Sequence, residues 1–202
     1  MSARTVYVVD DDEGVRKSLT LLLRSVGITA VCYESGQDFL QDFQPSIVGC
    51  LLVDIRMPGM SGLDLQQSLS NRHSILPVIF ITGHGDVAMA VRAMRAGAFD
   101  FIEKPFRDQD LLDRINQALA HNEARHAEIS ALAAFSQRLA LLTAREREIM
   151  DRIVRGQANK VIAIELGLSE RTVEIHRAKV MLKIQVHSLA ELVALVTRTG
   201  GA

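Results

Sequence analysis

The 202-residue chain has no long apolar run, no tryptophan and only two cysteines. A membrane-spanning helix needs about 20 consecutive apolar residues, so we predict neither a membrane span nor a signal peptide. The two cysteines, Cys32 and Cys50, fall in segments that resemble strands. We expect buried thiols there rather than a disulfide, which suits a reducing compartment. These absences predict a cytoplasmic globular protein with no membrane partner.

The net charge of −1 hides an uneven distribution. Residues 1–124 hold 11 Lys and Arg against 16 Asp and Glu, whereas residues 125–202 hold 12 against 8. The first part therefore has a net charge of −5 and the second part of +4. An acidic part joined to a basic part predicts a small cationic ligand on one side and a polyanion on the other.

Strand and helix patterns alternate through the first part of the chain. Short apolar runs bounded by turn residues indicate buried strands, and apolar residues spaced three or four apart indicate the helices between them. Five such strands predict an α/β fold, a doubly wound five-stranded parallel sheet with helices on both faces. The predicted strands are Thr5–Val9, Ile28–Tyr33, Val48–Val53, Pro77–Ile81 and Ala98–Ile102.

Polar residues gather at the carboxyl ends of these strands. Asp10 and Asp11 follow the first strand, Asp54 ends the third, Thr82 ends the fourth, and Lys104 follows the fifth. Ligands bind at this edge of parallel sheets, so we expect the side chains to share one crevice. Three converging carboxylates need a cation between them, and hard oxygen ligands favour Mg²⁺. With that charge cancelled, Asp54 becomes a plausible nucleophile toward a phosphoryl donor.

This set of residues resembles the receiver domain of response regulators over residues 4–122. The resemblance rests on four motifs in order, which are Asp10-Asp11, Asp54 with MPGMSG, Thr82-Gly83 and Lys104-Pro105. It implies that Asp54 is the phosphoacceptor and that Thr82 and Lys104 hold the phosphoryl group. The implied Mg²⁺ ligands are the carboxylates of Asp10, Asp11 and Asp54 and the backbone carbonyl of Arg56.

The same resemblance gives roles to two further positions. Phe101 is the implied aromatic switch residue, although its spacing from Phe99 alone indicates a core aromatic. Lys104-Pro105 is where the family has a cis peptide bond. Asp12 is expected in the first turn of a helix rather than among the ligands, and His84 at the rim of the pocket.

A long segment without Pro or Gly follows, over residues 108–141. Its apolar residues mark a helix, although Asn122 and His126 break the apolar stripe. We predict that the last receiver helix continues, with or without a break, as a helical linker over residues 123–140. The stripe is too interrupted to predict a coiled coil.

Residues 141–200 predict an all-α domain of four helices. Thr143 and Glu146 form a capping-box pattern at the start of the first helix. Helices over Asn159–Leu166 and Glu170–Ile184 then flank a tight turn at Gly167, and a last helix follows. Two short helices around a glycine turn, in a basic region, are typical of a helix-turn-helix.

The helix over Glu170–Ile184 has two different faces at about 100° per residue. The face predicted to pack inward holds Val173, His176, Val180 and Ile184. The opposite face mixes small, apolar and charged side chains, which suits the edges of bases, since Ile175 can meet a thymine methyl and Glu174 can accept from cytosine N4. The candidate contacts to bases or phosphates are Lys160, Ser169, Arg171, Thr172, Glu174, Ile175, Arg177, Ala178 and Lys179.

The second part resembles the LuxR-type helix-turn-helix, through the strings LTAREREIM, NKVIAIELGLSERTVEIHRAKVMLKI and SLAELV. The string RTVEIHRAKVM, with ITGHGD and FIEKPF in the first part, resembles the FixJ-like branch of response regulators. The resemblance implies a transcription factor that a histidine kinase phosphorylates on Asp54. It also implies a homodimer that binds double-stranded promoter DNA and works with RNA polymerase, as an activator rather than a repressor. Ala178 departs from the larger polar residues of other branches.

Two other functions compete with this interpretation. The first is a DNA-binding regulator that works without phosphorylation, against which stands the complete set of pocket residues. The second is a Mg²⁺-dependent phosphatase with an aspartyl nucleophile. Such an enzyme needs a second acid two residues after the nucleophile, where this chain has Arg56, so we expect no enzyme.

Overall fold

The structure, a computed structural model, describes residues 4–83 and 87–198. The chain divides into two units, Met1–His126 and Ala127–Ala202. In the first unit, strands and helices alternate as the hydrophobic pattern predicts. Its elements are β1 (Thr5–Val9), α1 (Glu13–Ser25), β2 (Thr29–Tyr33), α2 (Gly36–Asp42), β3 (Cys50–Asp54), α3 (Gly62–Asn71), β4 (Val78–Thr82), α4 (Val87–Arg95), β5 (Asp100–Glu103) and the start of α5 (Asp108–Ala140).

The five strands form one parallel sheet in the order β2-β1-β3-β4-β5. This is the doubly wound order in which the chain fills one side of β1 with β2 and the other side with β3 to β5. In the central register Val9 pairs with Val53, and Asp54 pairs with Ile81. The predicted fold class of the first unit is therefore confirmed.

The middle strand β3 is buried on both faces of the sheet. Cys50 and Leu52 belong to the core cluster that includes residues of α1 and α5. Leu51 and Val53 belong to the cluster on the opposite face, with residues of α2, α3 and α4. A strand covered on both sides needs apolar residues at every position, which is why its sequence is a continuous apolar run.

Except in β1, the strand bounds shift by one or two residues from the predicted ones, and two differences from the sequence-based expectations have a clear physical cause. β3 begins at Cys50, two residues later than predicted, because the Gly49 N–H donates to the side chain of Asn122 (2.9 Å) instead of joining the sheet. Cys32 is exposed rather than buried, because β2 lies at an edge of the sheet. The prediction of two buried thiols was thus wrong for Cys32 and right for Cys50, and both cysteines are free.

Helix α5 runs without a break over 33 residues. The two polar residues that interrupt its apolar stripe bind backbone groups of the first unit. The buried Asn122 accepts from Gly49 N–H and donates to the carbonyl of Ile75 (2.9 Å). His126 Nε2 lies 3.1 Å from the carbonyl oxygen of Ile47. These contacts join α5 to the segments that lead into β3 and β4.

The second unit is helical, as predicted. After the end of α5 it contains α6 (Ala144–Val154), α7 (Asn159–Leu166), α8 (Glu170–Ile184) and α9 (Leu189–Arg198). One apolar cluster holds these helices together, with fully buried side chains on α6, α8 and α9. Phe135, near the end of α5, is also fully buried in this cluster, so the core of the second unit starts inside the segment predicted as a linker.

None of the described helices is alone long and apolar enough to cross a membrane. Only α8 and α9 taken together reach that length and composition, with a bend of 59° between them. Both helices contribute buried residues to the core of the second unit.

Candidate functional site

Two acidic residues of the first unit stand where the sheet changes its direction of winding. β1 and β3 are neighbours, but their following strands lie on opposite sides of the pair. Asp10 directly follows β1, and Asp54 is the last residue of β3. The crevice beyond the carboxyl ends of two such strands is the usual ligand site of open α/β sheets.

Lys104 brings these two carboxylates together. Its ammonium Nζ lies 3.1 Å from Asp10 Oδ2 and 3.3 Å from Asp54 Oδ1. The three side chains are only 25%, 5% and 12% exposed, respectively. The backbone N–H of Lys104 donates to the carbonyl of Thr82 (2.7 Å), and the Lys104-Pro105 bond is cis, as the family resemblance implies. A shared cation lets two carboxylates lie close together in a poorly solvated crevice.

Burial raises the pKa of Asp54 above its ordinary value of 3.8. The Arg56 N–H, which donates to Asp54 Oδ2 (2.7 Å), and the charge of Lys104 oppose that shift, and the charge of Asp10 adds to it. One oxygen of Asp54 is thus held by a backbone amide and the other by an ammonium. A carboxylate fixed in this way is oriented for reaction at the crevice.

The structure describes the other predicted residues of this site except His84. Asp11 is exposed at the start of the loop after β1. Asp12 caps α1 by accepting from the N–H groups of Gly14 and Val15, which fits its predicted place at the helix start. Thr82 ends β4 and is 1% exposed. Phe101 lies half-buried in β5, and His84 lies outside the described residues.

Oxygen donors at this edge suit a hard divalent cation. Asp10 and Asp54 each direct one carboxylate oxygen to the same ammonium group. Within residues 4–83 and 87–198, no three His, Cys, Asp or Glu side chains form a cluster that could hold a metal ion. Mg²⁺ is usually bound through one or two carboxylates and keeps several waters, so the two carboxylates fit Mg²⁺ better than a cation that needs an all-protein cage.

The loop after Asp54 depends on Gly62. Gly62 N–H donates to the carbonyl of Ile55 (3.0 Å), which closes the loop tightly behind the site. A Cβ at Gly62 would lie 2.4 Å from the backbone oxygen of Asp54, so no other residue fits without moving the end of β3. Ser61 then caps α3 through a capping box with Asp64.

In the second unit, α7 and α8 form the predicted helix-turn-helix. Gly167 ends α7 in the left-handed conformation (φ 64°), which costs a glycine little. Ser169 caps α8 by accepting from the N–H of Thr172 (3.1 Å). Arg145 of α6 donates to the carbonyl of Leu166 (2.6 Å), so the turn is also held from a third helix. These contacts give the two helices a defined crossing.

Helix α8 presents two chemically different faces, as its pattern predicts. Val173, Val180 and Ile184 are fully buried, while His176 is half-buried. On the opposite face, Ile175 is 49% exposed. Most of the candidate DNA contacts are exposed. The exposed ones are Lys160 on α7, Ser169 at the cap of α8, and Arg171, Glu174, Ile175, Ala178 and Lys179 on α8.

Three candidate contacts, Ser169, Thr172 and Arg177, already make side-chain hydrogen bonds within the unit. Thr172 shares a hydrogen bond with the hydroxyl of Ser169 (2.8 Å). Arg177 donates to the side chain of Asn159 at the start of α7 (3.0 Å). A phosphate contact by Arg177 therefore has to share its guanidinium with that amide. Leu182, for which the pattern offers no role, is 79% exposed.

Sequence reasoning missed two residues that hold these sites in place. Arg16 donates to the carbonyl groups of Asp10 (2.7 Å) and Asp11 (3.0 Å), and backbone acceptors leave no signature in a sequence. Lys183 of α8 donates to Glu146, the acid of the predicted capping box (2.6 Å). Lys183 and Glu146 are 37 positions apart in the chain, so no local sequence pattern reveals the pair.

Comparison with known proteins agrees with this architecture. Residues 6–116 match the family described as "Response regulator receiver domain". Residues 140–196 match the family described as "Bacterial regulatory proteins, luxR family". The first match spans the sheet and its crevice, and the second spans the helix-turn-helix.

Full-length relatives share both parts. The chain is 44% identical to Nodulation protein W of Bradyrhizobium diazoefficiens over 195 residues, which are 96% of this chain and 86% of that protein. It is 43% identical to the transcriptional regulatory protein FixJ of Azorhizobium caulinodans over 197 residues, 98% of this chain and 93% of that protein.

Solved structures agree with these relatives. The structure of the response regulator StyR, 45% identical, matches 98% of this chain and all of its own chain with a TM-score of 0.87. Full-length FixJ from B. japonicum, 40% identical, matches all of both chains with a TM-score of 0.61. Each of these matches spans both domains of this chain, so the combination of the two domains is also found in known proteins. The chain belongs to the FixJ-like two-component response regulators, transcription regulators that join a receiver domain to a LuxR-type DNA-binding domain.

Proposed function

We propose that Asp54 is the residue that a cognate histidine kinase phosphorylates, and that this step controls DNA binding. The observation that carries the proposal is the setting of Asp54, at the carboxyl end of β3 between the Arg56 N–H and the Lys104 ammonium, beside Asp10. In the transfer, an oxygen of Asp54 bonds to phosphorus while the bond from phosphorus to the imidazole nitrogen of the kinase breaks. The leaving nitrogen keeps the electron pair.

The proposed cofactor is Mg²⁺, held by the carboxylates of Asp10, Asp11 and Asp54 and by the backbone carbonyl of Arg56. When bound, the ion offsets the charge that the carboxylates and the phosphoryl oxygens bring together. The oxygen donors at the crevice support this choice, since hard cations prefer them.

Lys104 and Thr82 are the proposed phosphoryl-binding side chains. Lys104 already lies 3.3 Å from an oxygen of Asp54, so a phosphoryl group on Asp54 arrives within reach of its ammonium. The Thr82 hydroxyl sits at the end of the neighbouring strand and can donate to a phosphoryl oxygen. Phosphoryl binding then repositions Thr82 and the aromatic switch residue Phe101.

The proposed output of the receiver is a homodimer formed through α4, β5 and the start of α5. Phe101 lies in β5 and packs against the core cluster that includes Ala93 of α4. Val91 and Met94 on α4 are 43% and 46% exposed, so this helix offers apolar area to a second copy. Two linked DNA-binding domains gain affinity through their effective concentration at paired half-sites.

The proposed reader of double-stranded promoter DNA is α8. Ile175 and Glu174 face outward and are the proposed base contacts. The remaining candidates are proposed to position the helix on the phosphates and sugars of the DNA. They are Lys160, Ser169, Arg171, Thr172, Arg177, Ala178 and Lys179. The net charge of +4 over residues 125–202 favours approach to a polyanion.

The remaining proposals concern organisation and output. We place the receiver domain at residues 4–122, the helical linker at 123–140 and the DNA-binding domain at 141–200. The protein acts in the cytoplasm, and contact with RNA polymerase makes it an activator rather than a repressor. It is not a phosphatase, because Arg56, an exposed cation, stands where such an enzyme needs an acid.

The phosphoacceptor is tested on the full chain with a small-molecule phosphodonor and MgCl₂, followed by mass spectrometry of the intact protein. One phosphoryl group is expected on the wild type and on the Asp64→Asn control, and none on Asp54→Asn. A phosphoryl group that persists on Asp54→Asn contradicts the proposal. Steady release of phosphate from a generic phosphate ester by the wild type would instead support the phosphatase.

A further inference from the structure

Arg16 joins the acidic turn after β1 to the turn after β2. It lies in the first turn of α1, and its backbone N–H donates to the carbonyl of Asp12. Its guanidinium Nη1 donates to the carbonyl oxygens of Asp10 (2.7 Å) and Asp11 (3.0 Å). Its Nη2 donates to the carboxylate of Glu34 (3.1 Å). Only 11% of the Arg16 side chain is exposed.

The two carbonyl groups that Arg16 binds have left the sheet. β1 ends at Val9, and among the described residues Arg16 is the donor to the oxygens of both Asp10 and Asp11. The planar guanidinium supplies a donor to both carbonyl groups from a single nitrogen, and its bond to the Asp10 oxygen is partly buried. The carboxylate of Asp10 is separately held by the Asp12 N–H at Oδ1 (2.9 Å) and by Lys104 at Oδ2.

We propose that Arg16 is a positioning residue for the divalent-cation site, which it serves by holding the backbone of Asp10 and Asp11 so that both carboxylates stay at the crevice. The inference rests on the proposed Mg²⁺ role of these two acids. Mg²⁺ demands nearly ideal octahedral geometry, so small movements of a ligand weaken its binding. Partners that orient metal ligands typically change metal affinity by about 10-fold to 100-fold when removed.

A purely electrostatic role of Arg16 predicts the opposite effect. A cation close to the site repels Mg²⁺, so its removal should tighten Mg²⁺ binding. Loss of the clamp should weaken binding, because the carbonyl groups of Asp10 and Asp11 lose their donor and the turn relaxes. The sign of the change in the dissociation constant therefore separates the two roles.

The test measures Mg²⁺ binding to the full chain by titration calorimetry with MgCl₂. Arg16→Met is expected to raise the dissociation constant about tenfold. Lys17→Met is the matched control, since Lys17 is the next residue of α1 and its ammonium binds Glu13 on the same helix (2.7 Å). This control removes the same charge and is expected to leave Mg²⁺ binding unchanged or slightly tighter.

Thermal unfolding without metal is measured on the same proteins. A lower melting temperature of Arg16→Met with an unchanged Mg²⁺ dissociation constant means a merely structural role and overturns the inference, as does tighter Mg²⁺ binding. If Arg16→Met does not fold, Arg16→Gln keeps an amide donor, but its side chain is too short to reach the two carbonyl groups. A folded Arg16→Gln protein that binds Mg²⁺ like the wild type also overturns it. A wild-type chain that binds no Mg²⁺ contradicts the proposed cofactor itself, which keeps the two failures apart.

Discussion

At the scale of single residues, the Asp54 carboxylate is partly buried and is also held in one orientation by two hydrogen-bond donors. Burial disfavours its charged form, while the Arg56 N–H and Lys104 hold its two oxygens. The neighbouring Asp64 has the opposite balance, because the hydroxyl and the N–H of Ser61 lower its pKa. Two aspartates ten positions apart thus have pKa values shifted in opposite directions, and the proposed phosphoacceptor is the one whose charged form burial disfavours.

Asp54→Asn is therefore expected to stabilise the receiver at neutral pH, by about 1 kcal/mol. The folded pKa of Asp54 is raised above 3.8, so stability falls as the pH rises from 3.8 through that raised value. A neutral amide avoids this loss. Asp64→Asn is the matched control and should destabilise, because it removes an ionised cap of α3. Urea unfolding at pH 7 checks both, and a less stable Asp54→Asn contradicts the argument.

At the scale of secondary-structure elements, α6 and α8 are joined through one carboxylate. Glu146 closes the capping box of α6 with Thr143 and also accepts from Lys183 of α8. The Lys183 side chain and the Thr143 N–H lower the pKa of Glu146 to about 2. The cap at the start of α6 and the position of α8 therefore depend on the same ionised group.

Acid should weaken the second unit through this carboxylate. The folded pKa of Glu146 lies below its ordinary value of 4.5, so the contribution is complete above pH 4.5 and is lost as the pH falls from 4.5 to about 2. Glu146→Gln should remove most of this pH dependence, whereas Glu170→Gln, in the first turn of α8, should retain it. Helical circular dichroism during urea unfolding at pH 7 and pH 3 measures the difference. An unchanged pH dependence in Glu146→Gln would contradict this account.

The exposed face of α8 supports a prediction about DNA. Ile175→Ala is expected to weaken binding to the preferred DNA sequence about fivefold to tenfold, since it removes an apolar base contact. Ile164→Ala makes the same change on α7, at a side chain that is 73% exposed, and should leave binding unchanged. Gel-shift titration with a sequence selected from a random DNA pool gives both affinities. Equal losses in the two variants contradict a reading role for Ile175.

Much of this arrangement was predictable from the sequence, and the exceptions have physical causes. Strand-end residues such as Asp10, Asp54 and Lys104 could be placed in one crevice because parallel strands share their carboxyl edge. The late start of β3 could not be predicted, because a side chain 73 positions away takes the N–H of Gly49. Arg16 was missed for a similar reason, since its acceptors are backbone oxygens.

At the scale of the whole molecule, two units with separate apolar cores share one helix. The first core surrounds the sheet, and the second gathers α6 to α9 with Phe135 from α5. The acidic charge lies with the proposed cation site and the basic charge with the proposed DNA reader. The proposed input chemistry and the proposed output surface thus belong to different units, which α5 connects along the chain.

The central claim is that phosphorylation of Asp54 controls DNA binding. The most direct test measures DNA affinity of the full chain with and without a small phosphodonor plus Mg²⁺, for the wild type and for Asp54→Asn, with sedimentation to follow dimers. The account predicts tighter DNA binding and dimer formation in the wild type alone. Equal DNA affinity of both proteins under all conditions would contradict it and would favour a regulator that works without phosphorylation.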